Sequence, residues 1–177
     1  MKIKDKEFRI FIQQEKIEKR VKELAREISR DYLGKDPLII PVLNGAFLFA
    51  SDLIKEINVP CQLTFVKASS YSGTESTGNL CRIIGLDMDL RSRHVILIDD
   101  IVDTGLTMKS IFEEVRSMNP SSIEVATLLL KPEAMQKEIE VKYVGFTIPN
   151  NFVVGYGLDY EGYGRNLKDI YQISKDC

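Results

Sequence analysis

Apolar and polar positions follow two rhythms along this chain, and the changes between them mark its elements. From Gln13 to Gly34 the residues Ile17, Val21, Leu24, Ile28 and Tyr32 fall three or four apart with charges between them, the spacing that gives a helix one apolar stripe. Gly34 is the stop, because glycine takes the left-handed backbone at a helix end without a Cβ penalty. Pro37 to Leu43 is then a continuous, β-branched apolar run, and after Asn44-Gly45 a helical stretch offers Phe47, Leu48, Leu53, Ile54 and Ile57 for one face. Cys61 to Ala68 and Cys81 to Leu86 read as strands. The stretch between them, Ser69 to Asn79, is serine-rich with two glycines, which predicts a mobile loop.

The second half repeats the pattern. His94 to Ile98 reads as a buried strand, Thr107 to Met118 as a helix carrying Met108, Ile111, Phe112 and Val115, and Ile123 to Leu130 as another buried strand. Val141 to Ile148, Phe152 to Gly155 and Ile170 to Ile173 are further strand-like runs, interrupted by Gly155, Gly157, Gly162 and Gly164. Short strands that are apolar throughout are buried on both faces. Their alternation with helices predicts an α/β fold with a central, mostly parallel sheet flanked by helices. No internal repeat or low-complexity linker divides the 177 residues, so one domain over 1–177 is expected.

Composition narrows the class. With 44% apolar and 28% charged residues a packed core is expected. A formal charge of -2 and a pI near 5.6 supply no basic field for a nucleic-acid backbone. The three cysteines, Cys61, Cys81 and Cys177, form no C-x-x-C pair, so buried thiols are expected in place of a disulfide framework or zinc site. Met1 to Arg9 is charged throughout, unlike a cleavable signal, and no apolar run approaches the roughly 18 residues of a membrane span. A cytoplasmic protein without membrane partners is the expectation.

The chemistry concentrates in Val95 to Met108, VILIDDIVDTGLTM. If Val95 to Ile98 is a strand, Asp99 and Asp100 close it, one facing a ligand crevice and the other its edge. Asp103 to Thr107 then forms the loop into the next helix. In open α/β sheets, ligands bind beyond the carboxyl ends of strands, where strand order reverses. Backbone amides at the helix start, Gly105 for close approach, and the hydroxyls of Thr104 and Thr107 suit a phosphate. A helix terminus favours such an anion by ~0.3–1 kcal/mol when exposed and up to ~2 kcal/mol when partly buried, so several donors must converge. Acids beside a phosphate would repel it unless they bind something else, such as ribose hydroxyls or Mg²⁺, which takes one or two carboxylates plus substrate phosphates. Helix capping by Asp100, Asp103 or Thr107 explains one residue but not two consecutive acids. No G-x-x-x-x-G-K-[ST] motif is present, which disfavours nucleoside-triphosphate hydrolysis.

Strand, acidic pair, then D-T-G-x-T resembles the signature of the type I phosphoribosyltransferases, which bind 5-phosphoribosyl-1-pyrophosphate. Leu43-Asn44-Gly45, Ser70-Tyr71, Ser76-Thr77-Gly78, Leu129-Leu130-Lys131, Phe152 to Tyr160 and Arg165 extend the likeness. In order and spacing they are similar to hypoxanthine-guanine phosphoribosyltransferases over most of the chain. The resemblance implies a small hood built from the terminal segments, Mg²⁺ as cofactor, a homodimer or homotetramer, and purine salvage, in which the phosphoribosyl group passes to hypoxanthine or guanine with release of pyrophosphate. It implies Asp99 and Asp100 at the ribose hydroxyls, directly or through metal. Asp103, Thr104, Gly105, Leu106 and Thr107 would hold the 5′-phosphate, with Asp103 also the general base toward the purine N7. Lys131 would donate to the purine O6, Phe152 would stack on the ring, and the Val153 and Asp159 backbones would meet its edge. Leu43, Asn44, Gly45 and Arg165 would hold the pyrophosphate, Asp159 a second Mg²⁺, and the Ser70-Tyr71 loop would be a lid.

Two departures stand out. Asn44 replaces a lysine common before Gly45, and no arginine follows Lys131 near Met135; the resemblance also implies a cis Leu43–Asn44 peptide. Two other readings fit less of the chain. A nucleic-acid-binding regulator on this fold needs a basic face, and a receiver-type phosphoacceptor leaves Thr104 to Thr107 and Phe152 to Asp159 without purpose. Among bases, Lys131 argues against adenine, because an ammonium cannot accept from an exocyclic amine.

Overall fold

The computed structural model describes residues 1–71, 80–86 and 88–174, apart from the side chains of 68–71 and 80–84. In chain order come β1 (Lys2–Ile3), β2 (Lys6–Ile12), α1 (Gln14–Asp31), β3 (Leu38–Leu43), α2 (Phe47–Glu56), β4 (Gln62–Leu63), β5 (Val66–Tyr71) and β6 (Leu80–Ile84). There follow β7 (His94–Val102), α3 (Leu106–Ser117), β8 (Ser122–Leu130), a 3₁₀ turn at Pro132–Ala134, β9 (Tyr143–Thr147), β10 (Val153–Val154) and β11 (Ile170–Ile173).

The large sheet has seven strands in the order β6-β5-β3-β7-β8-β9, with β4 beside the start of β3. All its pairings are parallel except β5 with β6. After β3 the chain builds outward on one side, and after β7 it builds outward on the other. The carboxyl ends of β3 and β7 therefore flank the point where strand order reverses.

Strand side chains alternate between two cores. Ile39, Ile96 and Ile98 pack with the α1 stripe of Ile17, Val21, Leu24 and Ile28 on one face. Leu38, Ile40, Val95 and Leu97 pack with Met108, Ile111 and Val115 of α3 on the other. This two-faced burial explains the absence of polar alternation in β3 and β7. The expected fold is thus present, hood included: β1, β2, β11 and β10 form a separate four-stranded antiparallel sheet from both chain ends, over Ile3, Phe8 and Val154. No helix of the described residues is long and apolar enough to cross a membrane.

Several boundaries differ from expectation. The run from Cys61 to Ala68 divides at Thr64 and Phe65: β4 follows Leu38–Ile39, and β5 follows Val42–Leu43. β5 continues through Ser69, Ser70 and Tyr71 because a hairpin partner, β6, supplies their backbone pairings. Positions 72–79, including Ser76-Thr77-Gly78, lie outside the described residues, as do the side chains of Ser70, Tyr71 and Cys81, and Cys177. Cys61 is half-buried, where a buried thiol was expected. On α2 the buried row is Phe49, Ala50 and Leu53, whereas Phe47 is 53% exposed. Rows three or four apart face the core, and Phe47 lies off the row that Phe49 and Leu53 define.

Candidate active site

β7 does not stop before its acids. It runs to Val102, with Asp99 opposite Thr127 and Ile101 opposite Leu129. Both carboxylates, expected at the strand's end and on different features, belong to its last residues and line one cavity. That cavity, about 300 Å³, is bounded by Val42 and Leu43 at the end of β3 with Gly45 beyond it, and by Asp99 to Ile101 at the end of β7 with Asp103 to Gly105, Thr107 and Met108 beyond it. It occupies the reversal point of the sheet.

The acids are held by local backbone. The Asp100 N–H donates to Asp99 Oδ1 at 3.0 Å, and the Ile101 N–H to Asp100 Oδ1 at 3.0 Å. Burial, then the adjacent Asp100 charge, push the Asp99 carboxyl well above the usual carboxylate range. Burial also raises Asp100, opposed by the hydrogen bond with Asp99, by backbone hydrogen bonds and, least, by the Arg165 charge. Two adjacent acids, Asp99 buried and Asp100 half-buried, in an environment that resists their charge are a donor set suited to a cation. Among the described residues no three His, Cys, Asp or Glu side chains gather to hold a metal. A cation here would draw its other ligands from substrate oxygens and water, as Mg²⁺ does.

Gly45 has no room for a side chain: a Cβ there would lie 1.9 Å from Asp100 Oδ2. The Leu43–Asn44 peptide before it is cis, and the Asn44 side chain is exposed and not part of the cavity lining. On the other wall, Gly105 takes φ 76° at the N-cap of α3, with no side-chain cap bond. Asp100, Asp103 and Thr107 are therefore not this helix's caps. The first amides of α3 lack helical partners by construction, and the helix starts beside the cavity wall formed by Thr104, Gly105 and Thr107. Thr104 Oγ1 makes only a long 3.4 Å contact from the Leu106 N–H, and the Leu106 side chain points to solvent. From behind, the Gln136 and Lys137 amides donate to the Thr104 carbonyl at 2.9 and 3.1 Å.

Lys131 follows β8, only 5% exposed, and its Nζ donates to Asp103 Oδ2 at 3.1 Å. Phe152, which as a strand aromatic would ordinarily be core, precedes β10 and is 44% exposed. Tyr160 meets its ring edge-on at 5.7 Å and Phe8 lies at 6.3 Å, leaving part of the ring open. Val153 is buried in β10. Asp159 and Arg165 form an ion pair. The Gly162 N–H donates to Asp159 Oδ2 at 2.6 Å, and Arg165 Nη1 donates to the Gly157 carbonyl at 2.6 Å.

The structure thus gathers Leu43, Gly45, Asp99, Asp100, Asp103, Thr104, Gly105 and Thr107 about one cavity. Lys131 joins through Asp103, whereas Asn44, Leu106, Phe152, Val153, Asp159 and Arg165 lie outside the cavity lining. Sequence reasoning missed Val42, Ile101 and Met108 in the lining, the brace of Thr104 by Gln136 and Lys137, and the approach of Gly157 to Gly45. A signal for the last was present in the Gly155-x-Gly157 spacing.

Comparison with known proteins agrees with this geometry. The phosphoribosyl transferase domain family matches residues 11–161. The hypoxanthine-guanine phosphoribosyltransferase of Mycobacterium bovis is 44% identical over 168 residues, covering 91% of this chain and 83% of that protein. That of Aquifex aeolicus is 38% identical over 173 residues, covering 97% of each. The crystal structure of a hypoxanthine phosphoribosyltransferase from Staphylococcus aureus superposes with a TM-score of 0.88 at 42% identity, covering 94% of this chain and 91% of that one. Alike in sequence over most of its length and in fold, the chain belongs to the phosphoribosyltransferase family, among the hypoxanthine-guanine enzymes.

Proposed function

We propose that the protein transfers the 5-phosphoribosyl group of 5-phosphoribosyl-1-pyrophosphate to hypoxanthine or guanine, giving the nucleotide and pyrophosphate. One observation carries this reading: a single cavity is shared by an adjacent acid pair, a helix start without a side-chain cap and a loop whose Gly45 leaves no room for a side chain. A ligand with hydroxyls or bound metal, a phosphate and a second phosphate group matches those three walls. The α3 amides with Thr104 and Thr107 take the 5′-phosphate. Leu43 to Gly45 offers backbone donors to pyrophosphate, and Arg165 exchanges Asp159 for it, a planar guanidinium being well matched to phosphate oxygens.

Asp99 and Asp100 would hold Mg²⁺ at the ribose hydroxyls, with Asp159 available to a second ion once Arg165 leaves it. Such ions supply charge neutralisation for the departing pyrophosphate. The purine lies against the open face of Phe152, with Lys131 donating to its 6-oxo group. Asp103, released from Lys131, accepts the N7 proton as N9 attacks the anomeric carbon. The sugar passes through an oxocarbenium-like state akin to that of glycoside hydrolysis, so alignment and charge stabilisation do most of the work.

The test is a panel assay: protein, 5-phosphoribosyl-1-pyrophosphate and Mg²⁺ with hypoxanthine, guanine, xanthine or adenine in turn, following nucleotide and pyrophosphate release. Product with hypoxanthine or guanine and none with adenine is expected. No product with any base overturns the reading.

A further inference from the structure

Tyr156 has no part in the transfer described above, yet its placement is tightly specified. Its backbone adopts φ 50°, uncommon for a bulky residue, and its side chain is 6% exposed. The phenol donates to Asp52 Oδ2 of α2 at 2.6 Å, while the other Asp52 oxygen accepts from Lys55 at 2.7 Å. Burial, then the Asp52 bond, raise the phenol above its ordinary range, so it stays a donor near neutrality. One residue on, a Cβ at Gly157 would lie 2.2 Å from the Gly45 carbonyl oxygen. The Gly157 N–H also donates to the Arg165 carbonyl at 3.0 Å. The pyrophosphate loop, the purine segment and Arg165 therefore touch beside Tyr156, and the helix that follows Gly45 is tied to the same point.

We propose that the Tyr156–Asp52 hydrogen bond is a positioning strut that keeps the Leu43–Gly45 loop against Gly157, so that the pyrophosphate end of the substrate is held in register with the base. This rests on the reading of the cavity as a phosphoribosyltransferase site. The base contacts at Phe152 and Val153 do not depend on the strut, because β10 is fixed by its own pairing with β11. Loss of the strut is therefore selective for the pyrophosphate side.

Tyr156→Phe and Asp52→Ala remove the bond, whereas Asp52→Asn keeps an acceptor for the phenol. Expected for the first two is a KM for 5-phosphoribosyl-1-pyrophosphate raised up to about 10-fold, the scale on which the loss of one hydrogen bond acts. Affinity for magnesium pyrophosphate by calorimetry falls in parallel, while the KM for hypoxanthine and the Kd for the nucleotide product stay within about twofold. Asp52→Asn should behave as wild type. Should Asp52→Ala fail to fold, Tyr156→Phe alone decides. Unchanged pyrophosphate affinity in Tyr156→Phe, or equal losses for pyrophosphate and nucleotide, overturns the strut. A wild-type protein that makes no nucleotide overturns the function instead, and the calorimetric comparison still reads the strut.

Discussion

Asp103 and Lys131 hold each other in the free protein, and their meeting follows from strand register. Asp99 pairs with Thr127 and Val102 with Leu130, a constant offset of 28 residues that brings Asp103 opposite Lys131 just beyond both strands. Lys131 was legible in the sequence as a strand-end polar group and Asp103 as the start of the loop into the next helix, but their ion pair was not, because no local pattern encodes the register between β7 and β8. A cation this buried needs a partner at rest, and Asp103 supplies it. In the proposed reaction an arriving 6-oxopurine would offer Lys131 a carbonyl oxygen and leave the carboxylate free to accept a proton. Lys131→Met keeps the bulk and removes the charge. A hydrogen bond to a charged group contributes ~1.5–3 kcal/mol, so the KM for hypoxanthine should rise about 10- to 100-fold in steady-state kinetics. An unchanged KM would remove Lys131 from the base site.

At the scale of elements, the turn from β7 into α3 carries the phosphate reading. Gly105 is specified twice: its φ of 76° suits glycine, and a Cβ there would lie 2.4 Å from the Lys137 carbonyl oxygen. Gly105→Ala should lower stability by about 1–3 kcal/mol in urea unfolding, the range for a strained backbone position. It should also weaken binding of 5-phosphoribosyl-1-pyrophosphate. Wild-type stability and affinity would mean the turn has slack that the packing does not suggest. Helix α1 was legible because its stripe of Ile17, Val21, Leu24 and Ile28 is long and regular, although it ends at Asp31, three residues short of the Gly34 stop, with Tyr32 as its C-cap. The end of β7 was misread for a physical reason: charge is a sound stop signal only where a strand ends in solvent. Here the backbone of Asp99 still pairs with β8 while its side chain turns into a site. In the ten residues of α2, Phe47, Leu48 and Phe49 offered competing faces that only tertiary packing resolves.

For the molecule as a whole, alternation of buried strands and helices announced the layered sheet, and reversal between β3 and β7 located its crevice. The hood was implied by resemblance rather than by periodicity, since β2 and β11 pair across nearly the whole chain and leave no local trace. Three phenols spread across the fold make a pH prediction. Burial raises Tyr32 to about 12 and raises Tyr143 and Tyr156 as well above the ordinary value of 10.0. Between pH 10 and 12 the folded state then holds more phenol protons than the unfolded chain, so unfolding free energy falls as pH rises. Urea titrations should give stability that is fully present below about pH 10 and declines through that window. A flat profile to pH 12 would mean the phenols ionise freely in the fold. Transfer at the β3/β7 crevice, with Asp103 as its base, is tested most directly by Asp103→Asn, measuring single-turnover nucleotide formation beside nucleotide affinity. The predicted result is a rate lowered by about 10²–10⁴, the usual contribution of a general base, with the nucleotide still bound; an unchanged rate would contradict it.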